Sequence, residues 1–267
     1  METKRNLKYF IAPPISVPAI IGWVITAIGV IFIAIGQNLQ MIGILVAIIG
    51  LGAVVMTSGG KSTDTDIEFQ ISERTKNLQE LSEKKFEVYE KSFLKMLKPI
   101  NLRGYDFTAS EEPFYFKKGA DGVNRTNYFM GTNIIFTSEK LFIYGRRFSL
   151  IDEAIDDTVA ASYYYNELDK AVLDEKSYTY KKGDRNIETK YYVFRILKND
   201  GTDALSMCVD YGADIDKYVD SISRAIVTRQ KELAKRAEEA AARREAFRKK
   251  VEEEKAAIER GELLADE

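Results

Sequence analysis

VPAIIGWVITAIGVIFIAIGQNLQMIGILVAIIGLGAVVM, residues 17–56, contains no charged side chain. Its first apolar run, Val17 to Gly36, is about 20 residues long and would span ~30 Å as a helix, the thickness of a bilayer's hydrocarbon core. Gln37-Asn38-Leu39-Gln40 interrupts it with polar, uncharged side chains. The second run, Met41 to Met56, spans only ~24 Å unless Leu39 and Thr57-Ser58 extend it. One continuous helix would be too long for a single crossing. In lipid every backbone polar group needs a partner within the segment, so two helices joined by a tight turn at Gly36–Gln40 are expected. A shallow hairpin that enters and leaves one leaflet is the alternative for so short a second run.

A basic start (Lys4, Arg5, Lys8) precedes the first run. A cleaved signal peptide is rejected, because a second apolar segment follows where a polar mature region should begin. Lys61, Arg74 and Lys76 follow the second run and the connecting turn has no positive charge, so both ends of the hairpin, and the body after them, are expected on the cytoplasmic side. Tyr9, Phe10 and Trp23 are expected near the headgroups, and Pro13, Pro14 and Pro18 at a stiff, non-helical entry. Gly22, Gly29, Gly36, Gly43 and Gly50 recur every seventh residue, with Thr26 and Ala47 on the same stripe. Small residues at this spacing let helix backbones approach closely, either within the hairpin or between protomers.

From Lys61 onward charge is dense. Asp64–Lys98 reads as an amphipathic linker helix, capped by Thr63 or Asp64 and ended by Pro99, with Ile67, Ile71, Leu78, Leu81, Val88, Tyr89, Phe93 and Leu97 as its apolar stripe. The period then changes. Phe114–Lys117, Tyr128–Met130, Asn133–Phe136, Leu141–Tyr144, Ser177–Tyr180, Tyr191–Leu197 and Leu205–Val209 read as short strands. Turns are expected at Thr137–Lys140, at 182–186 and at Asn199–Gly201. About seven antiparallel strands indicate a small barrel or sandwich.

Within this region IIFTSEKLFIYGRRFSLIDEAI (134–155), followed by YYYNELDKAVLDEKSYTY (163–180), resembles the bacterial PH-like domains. In that family an "lTnkRl…yy" hairpin precedes a "y-x-y-x-x-I-x-x-v" strand, closing strands and a C-terminal helix that plugs one end of a barrel. Lys140 stands at the family's basic position and Leu168 replaces its common isoleucine, while Leu150–Ala161 is more acidic than the pattern. The resemblance covers roughly residues 105–228, with Asp214–Ile226 as the plug. It implies a seven-stranded barrel that binds proteins or lipids, and no catalysis.

Tyr211 to Arg260 reads as one long helix ended by Gly261. Ile226, Leu233, Ala240 and Phe247 repeat every seven residues and Ala237, Val251 and Ile258 lie on the alternate seam, broken by Arg244 and Glu254. This is a thin coiled-coil pattern. Opposite charges four apart, such as Glu232–Arg236 and Glu245–Lys249, favour a solvent-facing helix.

Composition removes several chemistries. The chain has 267 residues, a net charge of −2, no histidine and one cysteine, Cys208. Near-neutral charge argues against nucleic acid as a partner. Without histidine, serine–histidine and cysteine–histidine catalysis are excluded. Cys208 cannot form an intrachain disulfide and reads as core. Gly59-Gly60-Lys61-Ser62 ends like a phosphate-binding loop, but Val55 stands where the motif needs its first glycine and no strand precedes it. Asp152, Glu153, Asp156 and Asp157 stand at helical spacing that would suit a hard cation, and more simply form a solvated acidic loop or short helix. Asn124-Arg125-Thr126 fits a glycosylation acceptor that a cytoplasmic body would not present to the machinery. Basic groups in expected turns, Lys117, Lys118 and Arg125, Arg146 and Arg147, and Lys181, Lys182 and Arg185, are candidate contacts for anionic headgroups, or ordinary soluble turns.

The expected fold is therefore α+β: a transmembrane helical hairpin (1–60), an amphipathic linker helix (61–104), a PH-like β domain with a closing helix (105–228) and an extended charged helix (229–267). The expected protein is a membrane-anchored, non-catalytic scaffold with no metal or cofactor, which self-assembles or recruits a protein partner. Lipid-headgroup sensing is the alternative. A pore lined by Gln37, Asn38 and Gln40 is a remote third reading, since no charged residue lies in the membrane segment.

Overall fold

The computed structural model describes residues 2–12, 17–36, 39–58, 60–88, 97–182, 185–212 and 214–259. The expectations for Pro13, Pro14, Gln37, Asn38, Gly59, Tyr89, Phe93, residues 183–184, Arg260, Gly261 and the side chain of Lys182 lie outside them. The protein is α+β with antiparallel sheets and an apolar helix near its N-terminus.

Helix α1 (Glu2–Ile11) comes before the apolar pair α2 (Val17–Ile35) and α3 (Gln40–Ser58). α2 is long and apolar enough to cross a membrane, whereas the apolar part of α3, Gln40–Met56, falls short of that length. The two-helix span is thus supported by length for its first member alone. Pro18 occupies the first turn of α2, where its missing N–H costs no hydrogen bond.

The expected helix over 64–98 is instead two helices, α4 (Asp64–Thr75) and α5 (Leu78–Phe86). Thr63 caps α4 as expected: its hydroxyl accepts from the Asp66 N–H and the Asp66 carboxylate accepts from the Thr63 N–H. The break comes at Asn77, whose φ of −108° and ψ of 20° leave the helical region. It turns Leu78 onto Gly131, where an added Cβ would come within 2.9 Å of the leucine side chain. α5 stops at Glu87, in the left-handed conformation with φ 52°.

The β region begins at residue 100, earlier than expected, and comprises β1 (Ile100–Tyr105), β2 (Phe116–Lys118), β3 (Asn124–Thr126), β4 (Tyr128–Phe136), β5 (Lys140–Ser149), β6 (Asp156–Tyr164), β7 (Leu168–Lys182), β8 (Arg185–Lys198) and β9 (Asp203–Val209). A short 3-10 helix, Tyr165–Glu167, joins β6 to β7. The strands form a four-stranded sheet, β1-β4-β5-β6, a three-stranded sheet, β7-β8-β9, and the small β2-β3 hairpin. Among the described residues the sheets do not close into a barrel. β1 and β9 approach at one seam, where the Asp210 N–H donates to the Arg103 carbonyl at 3.1 Å and Gly104 leaves room for the Cys208 carbonyl. At the other side β6 and β7 do not pair: the 3-10 helix joins their ends, and the final helix packs on it and on the start of β7.

Two cores explain the pattern. Ile134, Leu141 and Ile143 of the larger sheet meet Phe194, Ile196 and Met207 of the smaller, and Ile222 and Ile226 of the last helix join them. On the outer face of the larger sheet, Phe129, Phe148 and Leu150 pack with Tyr9 and Phe10 of α1 and with Ile67 and Ile71 of α4. All nine residues of β4 are therefore buried. A strand covered on both faces loses the alternation that marks a half-exposed one, which is why it reads in sequence as two fragments.

The long helix, α6, runs from Ile215 to Glu259 without a break, close to expectation. The acidic segment is neither loop nor short helix throughout: Asp152 and Glu153 form a turn and Asp156 and Asp157 begin β6.

Candidate functional site

The features with functional promise are the root of the apolar helix pair, the basic residues around it, and the outer part of α6. At the root, α1 and α4 bind each other and the body. The Ser62 N–H donates to the Arg5 carbonyl at 3.2 Å, and the Ser62 hydroxyl donates to Asn6 Oδ1 at 2.6 Å. Asn6 is buried and donates to the Leu150 carbonyl and to Gln70 Oε1, both at 2.7 Å. Tyr9 and Phe10 are only 3% and 7% exposed. They lie in the second core rather than near headgroups, since α1 turns one face to the sheet.

Arg125 ties this root to β2-β3. It is 1% exposed and grips Asp121 with two parallel bonds, of 2.8 and 2.6 Å. It also donates to Glu68 Oε1 at 2.9 Å and to the Tyr105 hydroxyl at 3.1 Å, with Asp64 3.9 Å away. Tyr9 donates to Asp64 at 2.6 Å and Tyr105 to Glu68 at 2.7 Å. Burial and these carboxylate bonds raise the pKa of both phenols. The guanidinium holds Asp121 down to about 2. Burial lowers the pKa of Arg125, but the bond it donates to Asp121 and the neighbouring groups outweigh it and the net shift is upward. This is a permanently charged clamp between elements far apart in sequence. With its donors committed to Asp121, Glu68, the Tyr105 hydroxyl and the Val123 carbonyl, Arg125 is turned inward and away from a headgroup.

The other basic candidates divide in the same way. Arg147 is held by Asp106 at 2.9 Å and Glu111 at 2.6 Å, and Arg146 by Asp156 at 2.6 Å. Lys117 donates to the Tyr9 carbonyl and lies 4.0 Å from that ring's centre. Burial, then the nearby Lys61 charge, lowers its pKa. Lys118, Lys181 and Arg185 are exposed. Aromatic contacts bring these three together: Phe114 meets Tyr178 and Phe116 meets Tyr180 (ring centres 5.5 and 4.3 Å apart), so β2 runs alongside β7 towards the end that carries Lys181. The turn of β2-β3 also touches the helix root, where the Ala120 N–H donates to Asp64 at 2.7 Å.

Between α2 and α3 the glycine stripe has a simple geometry. Gly22 faces Gly50 and Gly29 faces Gly43, each pair equidistant along the chain from Gly36 at the turn. A Cβ on Gly29 would stand 2.5 Å from the Ala47 nitrogen, and one on Gly43 2.7 Å from the Gly29 carbonyl. Gly36 itself meets nothing within 4 Å. Four of the five glycines therefore serve contact within the pair. Thr26, beside Gly50, donates its hydroxyl back to the Gly22 carbonyl at 2.9 Å and so leaves no unpaired polar group.

The candidate seam on α6 is split. Ile226 is fully buried in the domain core and Leu233 packs against its edge. Gln230 donates to the carbonyls of Tyr165 and Leu168 at 2.9 and 2.6 Å. Ala237 and Ala240 are exposed, Phe247 and Ile258 are 68% and 60% exposed, and Val251 is half-exposed. From Ala234 the helix projects for about 39 Å.

Cys208 is buried, and desolvation pushes its thiol up to about 11, away from reactivity. Sequence reasoning did not find the Arg125 clamp or the docking of α1, whose partners come from residues 60–150. No protein-family model matches the chain, and neither a curated protein nor a solved structure does.

Proposed function

We propose that this protein is a non-catalytic scaffold, held in a membrane by the α2–α3 hairpin and assembling with its own copies through the projecting part of α6. The observation that carries the reading is the contrast between a firmly docked root and a free arm. α1 and α4 are bound to each other and to the body, so the chain leaves the hairpin where it entered. This supports a return through the membrane despite the short α3. Lys4, Lys8 and Lys61 at that root put both ends on the cytoplasmic side. The resemblance to bacterial PH-like domains belongs to the same reading and makes the β domain the binding body.

The test is the mass of the particle after gentle extraction, for the full chain and for one ending at Leu233, which keeps the packing of Ile222, Ile226 and Leu233 on the domain core. A discrete oligomer that shrinks on truncation is expected. An unchanged mass overturns assembly through the arm.

A second reading is favoured by one observation: the exposed Lys118, Lys181 and Arg185 stand at neighbouring hairpin ends beside the helix root. Near an anionic surface each such charge is worth about 1 kcal/mol. Under this reading anionic lipid is enriched among the lipids that copurify with the full chain, and the enrichment is lost in the K118Q/K181Q/R185Q variant.

A further inference from the structure

We propose that the free edge of β6 pairs antiparallel with β6 of a second copy of this chain, joining two four-stranded sheets into one of eight. This goes beyond assembly through α6 and does not depend on it.

An exposed strand edge is a template for another strand, and proteins normally guard it with lysine, proline, a bulge or a cover. The other long edges here have such guards. β1 is met by β9 through the Arg103–Asp210 bond. β7 carries Lys170, Lys176 and Lys181, shifts register between Leu168 and Ala171, and has Ser223 of α6 bonded to both the N–H and the carbonyl of Ala171. Among the described residues β6, DDTVAASYY, pairs on one side only, with β5. It contains no lysine, no proline and no register shift over nine paired positions. Every residue from Asp156 to Ala160 is exposed.

The inner face of β6 is also unfinished. Val159, paired with Gly145, lies on the same sheet face as Ile143 and Leu141, which are fully buried, yet it is 40% exposed. A strand laid along the edge would cover it.

Chemistry selects a second β6 as that strand. With the dyad at Ala160, Val159 faces Ala161 of the second copy and Thr158 faces Ser162, small pairs that fit a flat edge and a hydroxyl pair that can bond across strands. Asp157 and Asp156 face Tyr163 and Tyr164 of the second copy. Asp156 is already held by Arg146, and Lys140, 4.3 Å from the centre of the Tyr164 ring, brings a further cation to the end where Asp157 of the second copy lies. Parallel pairing would set acid against acid. A dyad perpendicular to the sheet keeps both inner faces on one side, as a two-fold contact between identical patches requires.

The test is position-specific disulfide cross-linking of the full chain in its membrane. Native Cys208 remains in place, since it is buried. Ala160→Cys sits on the dyad and is expected to form cross-linked dimers under mild oxidation. Ser162→Cys stands about 14 Å from its mate in this register, at ~3.4 Å per residue, and is expected to form none. Val159→Lys, a charge placed at an already exposed position, is expected to abolish the Ala160→Cys dimer while leaving the melting temperature unchanged. No dimer at Ala160→Cys, equal dimer at both positions, or a dimer at Ser162→Cys alone overturns the proposal. Because cross-linking at β6 is read independently of the mass change on truncating α6, failure of either interface is told apart from failure of the other.

Discussion

The α2–α3 pair and the outer half of α6 carry the same arithmetic and use it differently. In both, a distinctive residue recurs every seven positions: glycine from 22 to 50, and Ile226, Leu233, Ala240 and Phe247 along α6. In the first the chain doubles back at Gly36 and the repeat meets itself. In the second the chain never turns, so only Ile226 and Leu233 find a partner inside the molecule. A repeat states that a face wants covering, and the connection that follows decides whether the same chain covers it.

The comparison can be broken first at the clamp that fixes α4, the helix following the apolar pair, to the body. Arg125→Ala leaves Asp64, Glu68 and Asp121 without their shared cation. It should cost about 3 kcal/mol, the low end for a broken buried pair because Glu68 and Asp121 keep partial access to water. Denaturation of the purified protein in detergent reads this directly. Next, Gly29→Val forces a side chain against the backbone of Ala47 and should destabilise the pair by about 2 kcal/mol. Gly52→Ala, which meets nothing within 4 Å, is the matched control and should leave the same denaturation curve in place. On the arm the expected result is inverted. Phe247→Ala should shift stability by no more than ~0.5 kcal/mol, as for other surface positions. It should nevertheless reduce the particle mass measured by light scattering.

The smallest effect is in acid. Arg125 depresses Asp121 from 3.8 to about 2 in the folded protein, and Arg147 depresses Glu111 from 4.5 to about 2. What these carboxylates contribute is complete above the unfolded value and is lost as pH falls through about 4 to about 2. Asp121→Asn should flatten that limb of a stability-versus-pH curve, whereas ending the chain at Leu233 should leave its slope alone.

How far these features could be read in advance followed from how local their causes are. The apolar pair and the unbroken α6 announce themselves through runs of one chemistry, and Thr63 through a cap that needs only Asp66 three residues on. β6 was hidden because Asp152, Glu153, Asp156 and Asp157 happen to suit helical spacing. The role of Arg125 was hidden because only Asp121 among its carboxylates is local, while Asp64 and Glu68 lie about sixty residues away in α4. β3 is three residues long, too short to show a period. Strand number suited either a barrel or a sandwich, and the closed barrel that the family resemblance implied is not formed at one edge, where the 3-10 helix Tyr165–Glu167 lies between β6 and β7.

The docking of α1 against α4 has a further consequence for meeting other copies. A body hung from a loose tether tumbles, and each encounter must then recover lost orientations, a considerable part of the cost of association. Here Asn6, Tyr9 and Arg125 hold α1, α4 and the body together as one unit. In a bilayer every copy would stand the same way up, so two of them could find each other by sliding in a plane and turning about a single axis.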